Sequence, residues 1–323
     1  MNISQDLPVK DITDNPPLYL TVAFYKFVDL PDFESRREPI LAFCETQNIK
    51  GIILLAREGI NSTISGEESN IRAVLSYLKA DPVFHDLQHK ESWTHIKPFR
   101  RMKVRLKKEI VTFGVPELNP NVTTGTYVKP EDWNALIQDP NVVLIDTRND
   151  YEVELGTFEG AIDPKIRKFT ELAAWVKEAP ALCSETTAKP KVAMFCTGGI
   201  RCEKSTAYMK SIGYDEVYHL EGGILKYLET IPEKESLWKG ECFVFDERVT
   251  VDHSLQPGQY HLCRVCRQPI TVGDEHSKKF ELGVSCDHCF DKTTDEQKIK
   301  ARERQRQCEL ARLRSSSHIG DKA

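Results

Sequence analysis

The sequence has no long hydrophobic run and no secretion signal. Its longest apolar stretch covers only residues 52–56, far short of the roughly 20 residues that a membrane-spanning helix needs. Residues 1–17 lack the basic segment followed by an apolar segment that is typical of a signal peptide. Cysteine is also scarce for a disulfide scaffold, at 10 in 323 residues. These absences predict a cytoplasmic protein with reduced thiols and no membrane partner.

A strong net charge is absent as well. The formal net charge is −5, which argues against a protein that coats nucleic acid over its whole surface. The charges are segregated, however. Residues 97–108 carry seven Lys or Arg and no Asp or Glu, whereas residues 128–233 carry 12 basic against 18 acidic residues. We therefore expect a local basic surface early in the chain and an acidic unit after it.

The length and periodicity predict several folded units, an α/β and α+β multidomain protein. Residues 18–116 follow the order βαββαβ, which is typical of a ferredoxin-like sandwich, with its last strands at Trp93–Ile96 and Met102–Val111. Residues 127–235 alternate strands and helices, which predicts a parallel sheet with helices on both faces. The remaining predicted segments are a flexible arm at 1–17, a linker at 117–126, a cysteine-rich region at 236–293, and a charged helix with a disordered tail at 294–323.

A cysteine follows directly after one apolar strand of the second unit. Cys196 is followed by a short loop and by Arg201, which opens a helix. Open α/β sheets bind ligands at this edge, and a helix N-terminus favours negative charge. A thiolate is the nucleophilic form of cysteine, and such surroundings lower its pKa. The pattern predicts a reactive Cys196, although a buried structural cysteine is the alternative. The predicted active-site loop comprises Thr197, Gly198, Gly199 and Ile200.

Three further residues are candidates for supporting this loop. Asp146 and Arg148 follow the apolar strand 142–146 and can either orient the loop or form a structural ion pair. Cys202 lies six residues after Cys196. It can act as a resolving thiol, or it can simply pack in the core.

Two Cys-x-x-Cys pairs lie near the end of the chain. Cys263 and Cys266 are separated from Cys286 and Cys289 by 19 residues. This spacing predicts a four-thiolate zinc site that is structural, because no coordination position is left open for a substrate. Unmetallated turns and redox cysteines are the alternatives.

The basic segment 97–108 alternates cationic and apolar side chains. On a strand, Lys103, Arg105 and Lys107 share one face, and such a stripe can follow RNA phosphates. A solvated strand face is the alternative. The candidate RNA contacts are Arg100, Arg101, Lys103, Arg105 and Lys107.

Four residues separate Cys196 from Arg201, and in this the loop resembles the rhodanese family. The wider arrangement, with LLAREGINSTI at 54–64, CTGGIRCEK at 196–204 and a cysteine-rich end, resembles the bacterial tRNA uridine(34) hydroxylase family over about residues 18–290. The resemblance implies oxygen-dependent conversion of the wobble uridine to 5-hydroxyuridine. It also implies Cys196 at the catalytic position, the tRNA anticodon arm rather than DNA as partner, and molecular oxygen as co-substrate. No motif identifies the electron donor.

We hypothesise that Cys196, as thiolate or persulfide, attacks C6 of the uracil while Arg201 and the loop amides stabilise the negative charge. Two other functions stay open at this point. One is a sulfurtransferase that passes a persulfide from Cys196 to a thiol acceptor. The other is a non-catalytic binding module, against which the presence of both Cys196 and Arg201 argues.

Overall fold

The computed structural model describes residues 19–95, 97–115, 118–182 and 189–314. The arm predicted at 1–17 and the tail predicted at 315–323 lie outside these residues. Among the helices of the described ranges, none is long and apolar enough to cross a bilayer.

A five-stranded sheet with two helices on one face forms the first unit. The strand order is β4-β1-β3-β2-β5, and β5 runs parallel to β2 while the other neighbours are antiparallel. The helices bury residues at helical spacing, such as Ile71, Val74, Leu75 and Leu78, on the sheet. The predicted ferredoxin-like order is confirmed, and both strands predicted after the second helix are present. Its elements are β1 (Tyr19–Phe27), α1 (Arg37–Thr46), β2 (Lys50–Ala56), β3 (Gly59–Gly66), α2 (Glu68–Lys79), β4 (His89–Thr94) and β5 (Met102–Leu106).

Two strand limits predicted from the sequence are wrong. β4 begins at His89 rather than Trp93, because pairing with β1 already starts at that residue. β5 ends at Leu106 rather than Val111. The Lys107 N–H still donates to the Leu55 carbonyl of β2 at 2.8 Å. By Ile110 the backbone bonds to side chains instead, since Glu58 accepts from the Ile110 N–H at 2.6 Å and Asn61 donates to the Ile110 carbonyl at 2.9 Å.

A four-stranded parallel sheet of order β6-β10-β9-β7 forms the second unit. Helices α5 and α6 pack on one face, and α3 and α7 pack on the other, as predicted. Its elements are β6 (Thr126–Val128), α3 (Pro130–Ile137), β7 (Val142–Asp146), α4 (Asp150–Val153), β8 (Gly156–Phe158), α5 (Leu172–Glu178), β9 (Lys191–Phe195), α6 (Ile200–Ser211), β10 (Val217–Leu220) and α7 (Gly223–Thr230).

The C-terminal region consists of short strand pairs and one long helix. β8 pairs with β11, which joins this region to the second unit. A small core contains the four paired cysteines and Ile270. The elements are β11 (Trp238–Gly240), β12 (Cys242–Phe243), β13 (Thr250–Val251), β14 (His261–Leu262), β15 (Pro269–Ile270) and α8 (Asp295–Leu313).

The first two units contact each other closely. The Lys204 ammonium of α6 lies 2.8 Å from Glu58 and 2.5 Å from Glu109. Phe113 packs against Phe169 and Tyr208 in the core of the second unit. The uncovered face of the first sheet therefore lies against the end of the second sheet where Cys196 is found. The domain limits drawn from the sequence stay predictions.

Candidate active site

Cys196 lies directly after β9 and is fully buried. The Gly199 N–H donates a hydrogen bond to its Sγ at 3.1 Å. Gly199 has φ +98° at the N-cap of α6, a conformation that glycine adopts readily. Burial alone would raise the pKa of the Cys196 thiol, but the neighbouring Cys202 thiol, the Arg201 charge and backbone amides together lower its pKa to about 5. Cys196 is therefore a thiolate at neutral pH, the form that acts as a nucleophile.

A second glycine turn holds the loop from the side. The N–H groups of Ile224 and Leu225 donate to the carbonyls of Cys196 and Thr197 at 3.0 and 3.1 Å. Gly223 permits this approach, because a Cβ there would lie 2.5 Å from the Cys196 carbonyl oxygen. The N-terminus of α7 thus fixes the backbone of the active loop.

The Arg201 guanidinium binds the Glu152 carboxylate, which lies in none of the motifs that indicate the active loop. It donates two hydrogen bonds to Glu152, at 2.6 and 2.7 Å, and one to the Thr197 hydroxyl at 3.3 Å. Glu152 is fully buried at the third position of α4, within a capping box with Asn149. The capping pattern marks Glu152 locally, but only the fold brings it to Arg201. Arg201 therefore acts on Cys196 in two ways. Its charge favours the thiolate, and its hydrogen bonds hold the active loop in place.

The other predicted support residues also have defined partners. Arg148 and Asp146 form a fully buried ion pair at 2.6 Å. Thr157 donates to Asp146 at 2.9 Å, and Arg148 lies over the Trp238 ring. These contacts match the structural ion pair that the sequence left as an alternative. Cys202 is buried beside Thr147, at 3.9 Å, and burial raises the pKa of its thiol well above the usual value.

A cavity of about 430 Å³ opens above the active loop, a size suited to a small ligand. The open face of the first sheet supplies one wall, and the loop with the region around β12 and β13 supplies the others. Polar groups of the first unit converge on it. Its lining includes Thr21, Tyr25, Asn61, Thr63, Lys90, Ser92, Cys196, Thr197, Arg201, Phe245 and Arg248.

Three ionisable side chains lie near Cys196 that the sequence alone did not indicate. The Lys90 ammonium donates to the Gly198 carbonyl at 3.0 Å, and burial lowers its pKa. Tyr25 donates to Glu203 at 3.0 Å. Burial raises the pKa of Glu203, against the hydrogen bonds that it accepts. Lys90 and Tyr25 lie more than 100 positions before the loop, so no local pattern indicates their role.

The predicted basic stripe borders this cavity wall. Lys103 and Arg105 on β5 are exposed and pair in register with Ile52 and Leu54 of β2. Since paired residues point to the same face of a sheet, both cations share the face that lines the cavity, where Ile52 and Leu54 also contribute. The other members, Arg100, Arg101 and Lys107, are exposed before and after β5.

The two Cys-x-x-Cys pairs meet in one cluster. The sulfur atoms of Cys263, Cys266, Cys286 and Cys289 all lie within 4.8 Å of one another. Neighbouring sulfurs are 3.6 to 3.9 Å apart. This cluster can hold a metal ion, and it lies outside the cavity that contains Cys196.

Two family models match successive parts of the chain. Residues 19–110 match the family model of the UPF0176 acylphosphatase like domain, and residues 129–230 match that of the Rhodanese-like domain. Three relatives are each named tRNA uridine(34) hydroxylase. The relative from Albidiferax ferrireducens is 63% identical and covers 94% of this chain and 95% of its own. Those from Acaryochloris marina and Rhizobium leguminosarum are 57% and 55% identical, each over 94% of this chain and 97% and 96% of their own.

Proposed function

Since this chain belongs to the tRNA uridine(34) hydroxylase family, we propose that it hydroxylates C5 of the wobble uridine in tRNA, with molecular oxygen as co-substrate. The observation that carries this proposal is the Cys196 thiolate in the wall of a cavity that two units share. Position 34 lies in a single-stranded loop, so its base can enter such a cavity without opening a duplex.

The proposed chemistry begins with the addition of Cys196 Sγ to C6 of the uracil. The S–C6 bond forms, and the electron pair of the C5–C6 double bond moves onto C5 and O4 as an enolate. C5 is then electron-rich and is oxidised by molecular oxygen. One oxygen atom stays on C5, while the other leaves as water with two electrons and two protons from an external two-electron reductant. Loss of the C5 proton and of the thiolate restores the aromatic ring.

The residues around Cys196 have distinct parts in this scheme. The Gly199 N–H holds the thiolate before attack, and the Lys90 cation faces the same cavity. A fixed cation stabilises a developing enolate more strongly in a partly dry site than in water. Arg201, held by Glu152, positions the loop rather than the substrate.

The test is nucleoside mass spectrometry of tRNA from cells that lack this protein. Wild type should restore a uridine species heavier by one oxygen atom, whereas Cys196→Ser and Cys196→Ala should not. Cys308→Ala is the matched control, because Cys308 lies on α8 outside the cavity lining, and it should behave as wild type. Full hydroxylation by Cys196→Ser would refute the nucleophile. Fast turnover of thiosulfate and cyanide without tRNA hydroxylation would favour the sulfurtransferase.

We further propose that Lys103, Arg105 and Lys107 bind the phosphates of the anticodon arm. Replacing all three by glutamine should weaken tRNA binding and flatten its salt dependence, since each lost phosphate contact reduces the slope by about 0.7 to 0.9. Unchanged affinity and slope would remove the stripe from the proposal. The matched control replaces three exposed lysines of the second and third regions: Lys129, Lys177 and Lys239.

We also propose that the four-cysteine cluster holds structural zinc. Four sulfurs about 2.3 Å from a tetrahedral zinc ion lie about 3.8 Å from one another. Three of the six sulfur pairs are 3.6 to 3.9 Å apart, and all lie within 4.8 Å, which supports this proposal. The metal would link two turns around a core too small to be stable by itself. Metal analysis should find about one zinc per chain, and Cys286→Ser should lose it while Cys308→Ala keeps it.

A further inference from the structure

An exposed phenylalanine lies on the cavity that contains Cys196. Among the aromatic residues that the structure describes, Phe245 is the most exposed, at 61%, compared with 49% for Tyr127 and 38% for Tyr77. Its ring centroid lies 5.9 Å from Cζ of Arg201. Phe245 therefore presents an aromatic surface at the cavity that contains Cys196.

The segment that carries Phe245 is firmly anchored. Asp246 and Arg248 form a buried pair joined by hydrogen bonds of 2.9 and 2.6 Å. Arg248 also donates to the Ser92 hydroxyl of β4 at 2.7 Å. The Glu247 N–H donates to the Pro98 carbonyl at 3.1 Å. This short turn between β12 and β13 is therefore tied to the first unit on the other side of the cavity.

The backbone of the same turn is strained. Val249 has φ +64° and is buried, and a β-branched residue rarely adopts this left-handed conformation. Its carbonyl accepts from the Val244 N–H at 2.8 Å, which closes the turn around Phe245. The Phe245 ring meets the Phe243 ring edge to face, with the ring centroids 5.1 Å apart. The fold thus retains a costly turn around a Phe245 side chain that is 61% exposed, and such strained turns occur often in ligand-binding segments.

We propose that Phe245 is the surface on which the uracil stacks when it enters the cavity. The proposal rests on the proposed function, because it names how the substrate base is held. Proteins that bind single-stranded RNA commonly stack an unpaired base on an aromatic ring, an interaction that tolerates any base but needs a flat side chain. Phe245 offers such a ring beside Arg201, and the basic stripe lies close by, since Arg100 is 3.4 Å from Glu247 of this turn.

The experiment measures binding of two anticodon stem–loop RNAs to the full chain. One RNA carries uridine at position 34, and the other is abasic at that position. Wild type should prefer the uridine RNA, and Phe245→Ala should lose about 5- to 150-fold of that preference, as expected for one stacked base. The abasic RNA should bind both proteins equally. Phe245→Trp should keep the preference, and Tyr77→Ala, an exposed aromatic variant on α2, should match wild type.

The inference is overturned if wild type shows no preference, or if Phe245→Ala weakens both RNAs equally or neither. Thermal unfolding of Phe245→Ala should match wild type, because the side chain is mostly in solvent. Nucleoside analysis in cells separates this inference from the proposed function. If Phe245→Ala hydroxylates normally while Cys196→Ser does not, the stacking inference is refuted and the proposed function stands. If wild type does not hydroxylate either, the proposed function and the inference are both refuted.

Discussion

Replacing Glu152 by glutamine tests whether the Arg201–Glu152 pair holds the active loop in place. The carboxylate is fully buried, and both of its oxygens accept from Arg201, at 2.6 and 2.7 Å. Glutamine has nearly the same shape but removes the negative charge, which leaves a buried guanidinium without its counter-charge. Breaking a buried pair in this way costs about 3 to 5 kcal/mol. Glutamine retains one acceptor oxygen, so we expect a loss near the lower end, about 3 kcal/mol.

The effect should also depend on pH. Burial alone would raise the pKa of Glu152, but the Arg201 charge and its hydrogen bonds lower it below the usual 4.5. A carboxyl with a lowered folded-state pKa stabilises the protein above its unfolded pKa and loses that contribution as the pH falls through the folded value. The stability difference between wild type and Glu152→Gln should therefore be full at neutral pH and shrink in strong acid.

Urea unfolding followed by tryptophan fluorescence measures this difference. Glu154→Gln is the matched control, because Glu154 lies two residues further on and is exposed, and we expect its stability within about 0.5 kcal/mol of wild type. The double variant Glu152→Gln with Arg201→Gln should be less destabilised than the sum of the single variants. A Glu152→Gln protein as stable as the control would refute the reasoning.

Three further predictions concern the active site. The rate at which iodoacetamide alkylates Cys196, measured by peptide mass spectrometry, should rise with pH through a midpoint near 5. The reason is that the pKa of this thiol is lowered to about 5 from 9.0. A midpoint near 9.0 would contradict the site geometry. Lys90→Met should lower 5-hydroxyuridine formation in cells roughly 10²-fold, whereas Lys239→Met should not. Gly223→Ala should abolish activity, because its Cβ would collide with the loop backbone; Gly160→Ala, at φ +80° with no atom within 4 Å, should remain active.

Much of the fold was predictable because it depends on local periodicity. The apolar strand predicted at 142–146 matches β7 at both ends, and the apolar strand predicted before Cys196 is β9, since buried parallel strands are continuous apolar runs. The strands near Trp93 and Val111 were misplaced for the opposite reason. Their limits depend on pairing with β1 and on hydrogen bonds to Glu58 and Asn61, which no local pattern reveals.

The sequence by itself determined where two candidate sites lie along the chain. A cysteine between a strand and a helix N-terminus, followed by two glycines and an arginine, predicts an anionic thiol, because the amides and the cation that favour the negative charge lie only a few residues away. The spacing of the Cys-x-x-Cys pairs likewise indicates a four-sulfur cluster, and the structure brings the four sulfurs together.

Only the tertiary structure decided what surrounds that thiol. Glu152 reaches Arg201 across 49 positions, and Lys90 reaches Gly198 across 108. The cavity exists because the open face of one unit lies against the loop of another, and the turn of Phe245 closes its side. Such contacts arise from the packing of whole sheets, so they depend on many distant residues at once. For that physical reason the candidate nucleophile could be predicted from the sequence, whereas the cavity around it could not.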